Sequence, residues 1–170
     1  MRSTSEIKKG TILQSANACP THVFHVHQGL LRSFFVDENG KEHTFMFAPE
    51  GWTIADMEAT GFEVKTHLVI EAIENSEVER IPIEAIKNAE NSGSPEEFQR
   101  LLRRAGALQR RILMMMSTSA LQRYDFFVAT YPDIEQRVSQ KLIASYLGIT
   151  PQALSKIRAE RFKNSPQKLI

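Results

Sequence analysis

Three sets of side chains in this sequence have types and spacings that could do chemistry. His25 and His27 stand two residues apart. On a strand they point to one face, where two imidazoles could ligate one ion. Only His67 could complete the set. No Glu falls four or five residues after His27, and no His falls three after Gly51, so the pair reads as surface or pocket-lining histidine and no metal is expected. Cys19, beside Pro20, is the single cysteine. It excludes an internal disulfide framework and a four-cysteine zinc or iron–sulfur site, and no base lies near it in sequence. No nucleophile elbow, phosphate loop or paired-carboxylate motif occurs, so no catalytic residue is nominated and no cofactor is expected.

The third set is the most informative. From Gln140 to Arg158 the spacing fits a helix-turn-helix. Ala144 is small where two helices cross. Gly148 falls where the tight turn needs left-handed backbone. Ile149, Leu154 and Ile157 are expected to be buried. Thr150 caps a second helix, with Pro151 at its first position. That helix would offer its early outward residues, Thr150, Pro151, Gln152, Ser155 and Lys156, to a DNA major groove. Gln152 can pair two ways with adenine, and Lys156 can donate to guanine. Lys141, Arg158, Arg161 and Lys163 suit phosphates, which give affinity without reading sequence. The competing reading is a plain helical hairpin in a small bundle. Ala144, Gly148, the capped Thr-Pro and the local charge together weigh against it.

The elements that must position these groups divide the chain. Thr11 to Leu13, His22 to Gln28, Leu30 to Val36, Glu42 to Phe47, Thr66 to Ile73 and Glu77 to Ile83 are short runs rich in β-branched and aromatic residues, separated by turn signals. Asn39-Gly40 suits a type I′ hairpin turn. No long helical period appears before residue 83. These antiparallel strands point to a sandwich or jelly-roll barrel. Ser94, Pro95 and Glu97 then form a helix start with a capping box, and a helix is expected to about Met116. Phe98, Leu101, Ala105, Leu108, Ile112 and Met115 recur at alternating three and four spacing, an a/d seam suited to a twin helix. Leu102, Leu113 and Met116 form a second stripe. A hinge is expected at Ser117 to Ser119, where Ser119 and Gln122 make another capping box. A helix from Leu121 to Thr130 follows, then one from about Ile134 into the motif.

Composition agrees with a folded chain. The 170 residues are 42% hydrophobic and 24% charged, which excludes disordered tails, collagen-like repeats and low-complexity linkers. No apolar run reaches the roughly 18 residues of a membrane span and no signal-peptide core opens the chain, so a cytoplasmic protein without membrane partners is expected. The net charge of +1 hides a partition. Residues 1–93 carry 8 Lys and Arg against 14 Asp and Glu, whereas residues 137–170 carry 7 against 1. An acidic front and a basic end suit two modules with different partners.

In order and separation these features resemble the bacterial cyclic-AMP receptor protein/FNR (Crp/Fnr) family of transcription regulators. Lys8 to Leu13 resembles the family's first strand. Phe24 to Arg32, with Gln28-Gly29-Leu30-Leu31-Arg32, resembles its glycine-bearing strand pair, and Pro49-Glu50-Gly51-Trp52 the lead-in to its phosphate-binding cassette. The dimer helix and winged helix-turn-helix follow. The resemblance implies an α+β fold: a β-roll sensor of double-stranded jelly-roll type at 1–93, a dimerisation helix and hinge at 94–118, and an all-α helix-turn-helix domain at 119–170. It implies a non-enzymatic homodimer on a two-fold operator of double-stranded DNA, with RNA polymerase and an unidentified small-molecule effector as further partners. Three departures matter. The cassette's Gly-Glu and Arg-Ser places hold Ala55-Asp56 and Thr66-His67, and the base-reaching pair on the dimer helix maps to Leu108-Gln109. Loss of the arginine and the close-approach glycine argues against cyclic AMP, leaving another small molecule or none. The cysteine cluster of oxygen sensors is absent. Both ends read short, without the lead helix or β-wing. The rival class is a cupin-like metal-binding enzyme or small-molecule binder, resembled by His25-Val26-His27 and by Pro49-Glu50-Gly51.

Overall fold

The computed structural model describes residues 3–90, 95–117 and 119–164, without the side chains at 88–90, 95–98, 100, 101, 104, 117 and 162–164. The expected cap at Ser94 and Glu97, the seam residues Phe98 and Leu101, and Lys163 therefore lie outside the described residues. The chain divides into two compact units, Met1–Phe98 and Gln99–Ile170.

The first unit runs β1 (Ser3–Ile7), β2 (Ile12–Gln14), β3 (His22–Gln28), β4 (Leu31–Val36), β5 (Glu42–Ala48), β6 (Thr53–Ile54), α1 (Met57–Phe62), β7 (Val69–Ala72), β8 (Ser76–Pro82) and α2 (Ile83–Glu90). Two four-stranded antiparallel sheets form, ordered β1-β8-β3-β6 and β2-β7-β4-β5. Strand alternation turns Phe24 and Val26 of β3 inward, with Val78 of β8, against Leu31, Ala48, Ile70 and Ala72 of the other sheet. Each fully buried Val, Leu or Ile contributes roughly 1.5–3 kcal/mol, so this inner layer is what closes the β-roll.

Three local expectations change. The sequence carries no strand signal for β1, because Ser-Thr-Ser-Glu-Ile is an edge strand in which only Ile7 is buried. β6 and the six-residue α1 also escape, being too short for any period to register. The hairpin between β4 and β5 is not type I′. Gly40 has a positive φ of 76° while Asn39 does not. Gly40 N–H donates to Asp37 O, and Asp37 N–H to Lys41 O, both at 2.9 Å, the pattern of a type I turn closed by a glycine bulge. The Asp37 carboxylate selects it by accepting from the N–H groups of Asn39 and Lys41 at 2.9 and 3.0 Å.

The second unit takes up α3 (Pro95–Ser117) from Gln99 onward and holds α4 (Ala120–Thr130), α5 (Ile134–Arg137), α6 (Gln140–Leu147) and α7 (Pro151–Asn164). The expected capping box at Ser119 is present. Gln122 N–H donates to Ser119 Oγ at 3.2 Å, and Ser119 N–H to Gln122 Oε1 at 2.9 Å. The single helix expected from Ile134 is instead two, because Ser139 is extended and caps α6 afresh. Phe127, Tyr131 and Tyr146 pack with ring centroids 5.4 to 5.6 Å apart beside Ile134, Ile143, Leu147 and Leu154, all fully buried. No described helix is long and apolar enough to cross a membrane.

Candidate nucleic-acid interface

The second unit builds the motif as its residues dictate. Gly148 caps α6 with φ 66° and ψ 35°, a left-handed conformation that costs glycine nothing. Its N–H and that of Ile149 return to carbonyls of the last turn. Thr150 Oγ1 accepts from Ala153 N–H at 3.2 Å, and Pro151 opens α7, where its missing N–H is not needed. Leu154 and Ile157 are buried as expected, while Ile149 is only half-buried; Ala144 is buried as well. Thr150, Pro151, Gln152, Ser155 and Lys156 are all exposed. The Ser155 hydroxyl lies 3.1 Å from Pro151 O and 3.3 Å from Gln140 Oε1, which ties α7 to α6.

Arg158 and Arg161 are engaged within the unit. Arg158 Nη2 lies 2.8 Å from Glu135 Oε1, and its Nε donates to the Tyr124 hydroxyl at 3.3 Å. Tyr124 in turn donates to the same Glu135 oxygen. Burial, helped by the Glu135 hydrogen bond and opposed by Arg158, raises the Tyr124 hydroxyl above its ordinary pKa, so it remains a donor. Arg161 Nε pairs with Asp125 Oδ1 at 3.0 Å, an exposed pair. None of this interlock is legible from spacing, since it joins residues 11 to 36 positions apart.

Of the expected seam on α3, Ala105, Leu108, Ile112 and Met115 are exposed in the single chain, as are Leu102, Leu113 and Met116 of the second stripe. Arg111, which the sequence did not single out, lays its guanidinium over the Tyr146 ring at 3.8 Å and donates from Nη2 to Tyr146 O at 3.3 Å. Burial raises the Tyr146 hydroxyl pKa, with the nearby Arg111 charge opposing.

In the first unit, the cassette positions close on one another. Asp56 is buried and caps α1, its Oδ1 accepting from Ala59 N–H at 3.0 Å. Its Oδ2 accepts from the Thr66 hydroxyl at 2.5 Å. Thr66 is wholly buried and accepts from Leu68 N–H at 2.9 Å and Gln14 Nε2 at 3.1 Å. Ala55 is half-buried and His67 exposed, and on α3 Leu108 and Gln109 are exposed. A carboxylate therefore already occupies the start of α1, and no cation faces it from Thr66. His25 and His27 do share a face, with ring centroids 5.0 Å apart. His25 Nδ1 is 3.2 Å from Thr53 Oγ1 and His27 Nε2 is 3.5 Å from Glu79 Oε2. Among the described residues no group of three His, Cys, Asp or Glu side chains is arranged to hold a metal.

No protein-family model and no curated protein matches this sequence. Solved structures do. FixK2 from Bradyrhizobium japonicum superposes with a TM-score of 0.77 at 17% identity, covering 96% of this chain and 85% of its own. A protein assigned as a transcriptional regulator of the crp/fnr family from Eubacterium rectale superposes with a TM-score of 0.70 at 21% identity, over 95% of this chain and 79% of that one. The fold is that of Crp/Fnr regulators. A CooA variant from Carboxydothermus hydrogenoformans agrees, with a TM-score of 0.70 at 22% identity over 95% of this chain and 77% of its own. The Crp/Fnr fold here thus joins an α+β chain with an antiparallel roll to the helix-turn-helix expected from residues 140–158.

Proposed function

We propose that this chain is a DNA-binding transcription regulator of the Crp/Fnr type and not an enzyme, acting as a homodimer and unresponsive to cyclic AMP. The observation that carries the reading is the split on α7. Leu154 and Ile157 are buried while Thr150, Pro151, Gln152, Ser155 and Lys156 all face solvent, just after the left-handed Gly148 turn. That is the arrangement by which a recognition helix offers its first turns to a major groove. Exposed Ala105, Leu108, Ile112 and Met115 supply a surface for a second copy of α3, and dimerisation would set two recognition helices roughly 34 Å apart on a two-fold operator. Residues 1–93 serve as sensor, 94–118 as dimer helix and hinge, and 119–170 as reader. The cytoplasm is then the site of action and RNA polymerase the further partner.

The Asp56–Thr66 pair supports the negative half of the reading. A cyclic phosphate brought to the start of α1 would meet a buried carboxylate instead of an arginine. Any effector of the roll is therefore of another class.

Selection of duplexes from a random-sequence pool, followed by affinity against salt, tests the proposal. A regulator recovers a two-fold sequence and loses affinity steeply as salt rises. Lys156→Ala is expected to relax base preference at one position, and Arg161→Ala to weaken all duplexes alike. Cyclic AMP is expected to leave the melting temperature unchanged. Stoichiometric bound metal with no recovered duplex would overturn the reading in favour of a cupin-like protein.

A further inference from the structure

Arg158 is among the residues whose charge suits DNA phosphates, yet its surroundings give it another task. We propose that Arg158 is a positioning residue: with Glu135 and Tyr124 it sets the rotation of α7 in the groove, and it contacts no phosphate. The inference rests on the DNA-binding reading.

Helix geometry separates Arg158 from the reading face. Gln152 and Lys156 lie four positions apart and so share a face. Arg158 follows Lys156 by two, about 200° further round the helix. A rotation that presents Gln152 and Lys156 to a groove therefore turns Arg158 into its own domain. There it meets one residue from each of two other helices. Its Nη2 lies 2.8 Å from Glu135 Oε1 of α5, and its Nε donates to Tyr124 of α4 at 3.3 Å. Tyr124 closes the triangle by donating to the same Glu135 oxygen, and its ring lies 5.9 Å from the guanidinium.

Arg158 and Glu135 are only 24% and 29% exposed, whereas Arg161 and Asp125 are 40% and 51% exposed. A guanidinium leaving Glu135 for a phosphate would leave a half-buried carboxylate with the Tyr124 hydroxyl but no cation, and losing the charged partner of such a group is costly. Arg161 is held by an exposed ion pair to Asp125, a weak kind of contact, and by the Tyr124 ring 5.4 Å from its guanidinium. The Ser155–Gln140 contact holds α7 to α6 one turn earlier. With Arg158 anchored below it, the helix is fixed at two points along its length.

The test compares Arg158→Gln, Glu135→Gln and the double variant with wild type. Each is titrated, across a salt series, with a duplex that wild-type protein recovers from a random-sequence pool and with a scrambled duplex. The expected result is about a tenfold loss of preference for the recovered duplex in each single variant. The salt slope stays at its wild-type value, and the double variant is no worse than either single one. Tyr124→Phe, which removes only a hydroxyl, is expected to lose part of the same preference, and it carries the comparison if a charge variant does not fold. A salt slope reduced by about one per half-site in Arg158→Gln, with both duplexes weakened alike, would assign Arg158 to a phosphate and overturn the inference. Wild-type preference in every variant, with only a lower melting temperature, would overturn it equally. A wild-type protein that recovers no duplex overturns the DNA-binding reading itself, an outcome distinct from either.

Discussion

Replacing Asp56 by alanine removes two hydrogen bonds from the β-roll at once, and the size of the loss follows from where they end. The first caps α1, with Asp56 Oδ1 accepting from Ala59 N–H at 3.0 Å. Loss of such a cap costs about 1 kcal/mol. The second satisfies Thr66, which is wholly buried and donates its hydroxyl to Oδ2. A buried hydroxyl robbed of a charged acceptor costs roughly 1.5–3 kcal/mol; its alternative acceptor, Leu68 O, stands 3.3 Å away. The sum is about 2.5–4 kcal/mol. At 4–8 °C per kcal/mol for a unit of this size, the melting temperature falls by roughly 10–30 °C. Asp56→Asn keeps a capping oxygen but turns an amide N–H toward a hydroxyl that already accepts twice, so it spares the cap alone and costs roughly 1.5–3 kcal/mol. Trp52 is the only tryptophan and belongs to the same unit, so its fluorescence follows the melting of the roll. If Asp56→Ala melted within about 3 °C of wild type, the buried pair would not be holding α1 to the loop before β7, and the argument from it against a bound phosphate would fall as well.

Gly29 has φ 93°, and a Cβ there would sit 2.4 Å from Ser76 Oγ and 2.7 Å from Asn75 O. Strain and clash together make Gly29→Ala cost at least about 3 kcal/mol, so a Trp52 melting curve that did not move would contradict the close approach. Ile112 is 58% exposed, so Ile112→Asp is expected to convert a dimer to a folded monomer in sedimentation, with little change in secondary structure by circular dichroism; a dimer surviving unchanged would remove the α3 seam from the interface. The His43 hydrogen bond at 2.7 Å, aided by the Lys41 and Asn39 amides, holds the Asp37 carboxyl below its usual range. A depressed carboxyl contributes order above its unfolded pKa that is lost as pH falls through the depressed value. The hairpin amides of Asn39 and Lys41 are therefore expected to lose protection only in strong acid. His43→Gln should raise the Asp37 midpoint by NMR, and an unmoved midpoint would contradict the assigned cause.

What could be read from the sequence follows the range of the forces involved. The turn at Gly148, the caps at Ser119 and Thr150 and the first-turn Pro151 are decided within four residues, and each stands where spacing put it. β3, β4, β5 and β8 were legible because their apolar residues alternate or cluster. β1 was not, since an edge strand that buries only Ile7 gives no pattern. The turn at residues 37–40 went the other way because the Asp37 side chain, not the Asn-Gly pair, fixes its type. At the cassette, sequence indicated that Asp56 and Thr66 replace expected groups. That they bind each other, with Gln14 reaching across from residue 14 to complete Thr66, depends on two loops meeting. The Tyr124–Glu135–Arg158 triangle is of the same kind, and without it the sequence pointed Arg158 to a DNA phosphate.

These tertiary contacts also bear on how the reader would be steered. The expectation from sequence was a hinge at Ser117 to Ser119, about which the helix-turn-helix could swing. Within the second unit, the last turns of α3 also touch the helix-turn-helix beyond that point. Arg111 stacks on Tyr146 at 3.8 Å and bonds its carbonyl, and a Cβ added at Gly148 would come within 3.1 Å of Met115 Cε. Both contacts fall on α6 and its closing turn. Ser155 joins α6 to α7 through Gln140, and Arg158 joins α7 to α4 and α5. Stacked guanidinium and aromatic contacts are individually modest, of order 1 kcal/mol, but here they act in series on rigid helices. On the regulatory reading, a change in how two copies of α3 pair would reach Gln152 and Lys156 through these contacts as well as through the hinge.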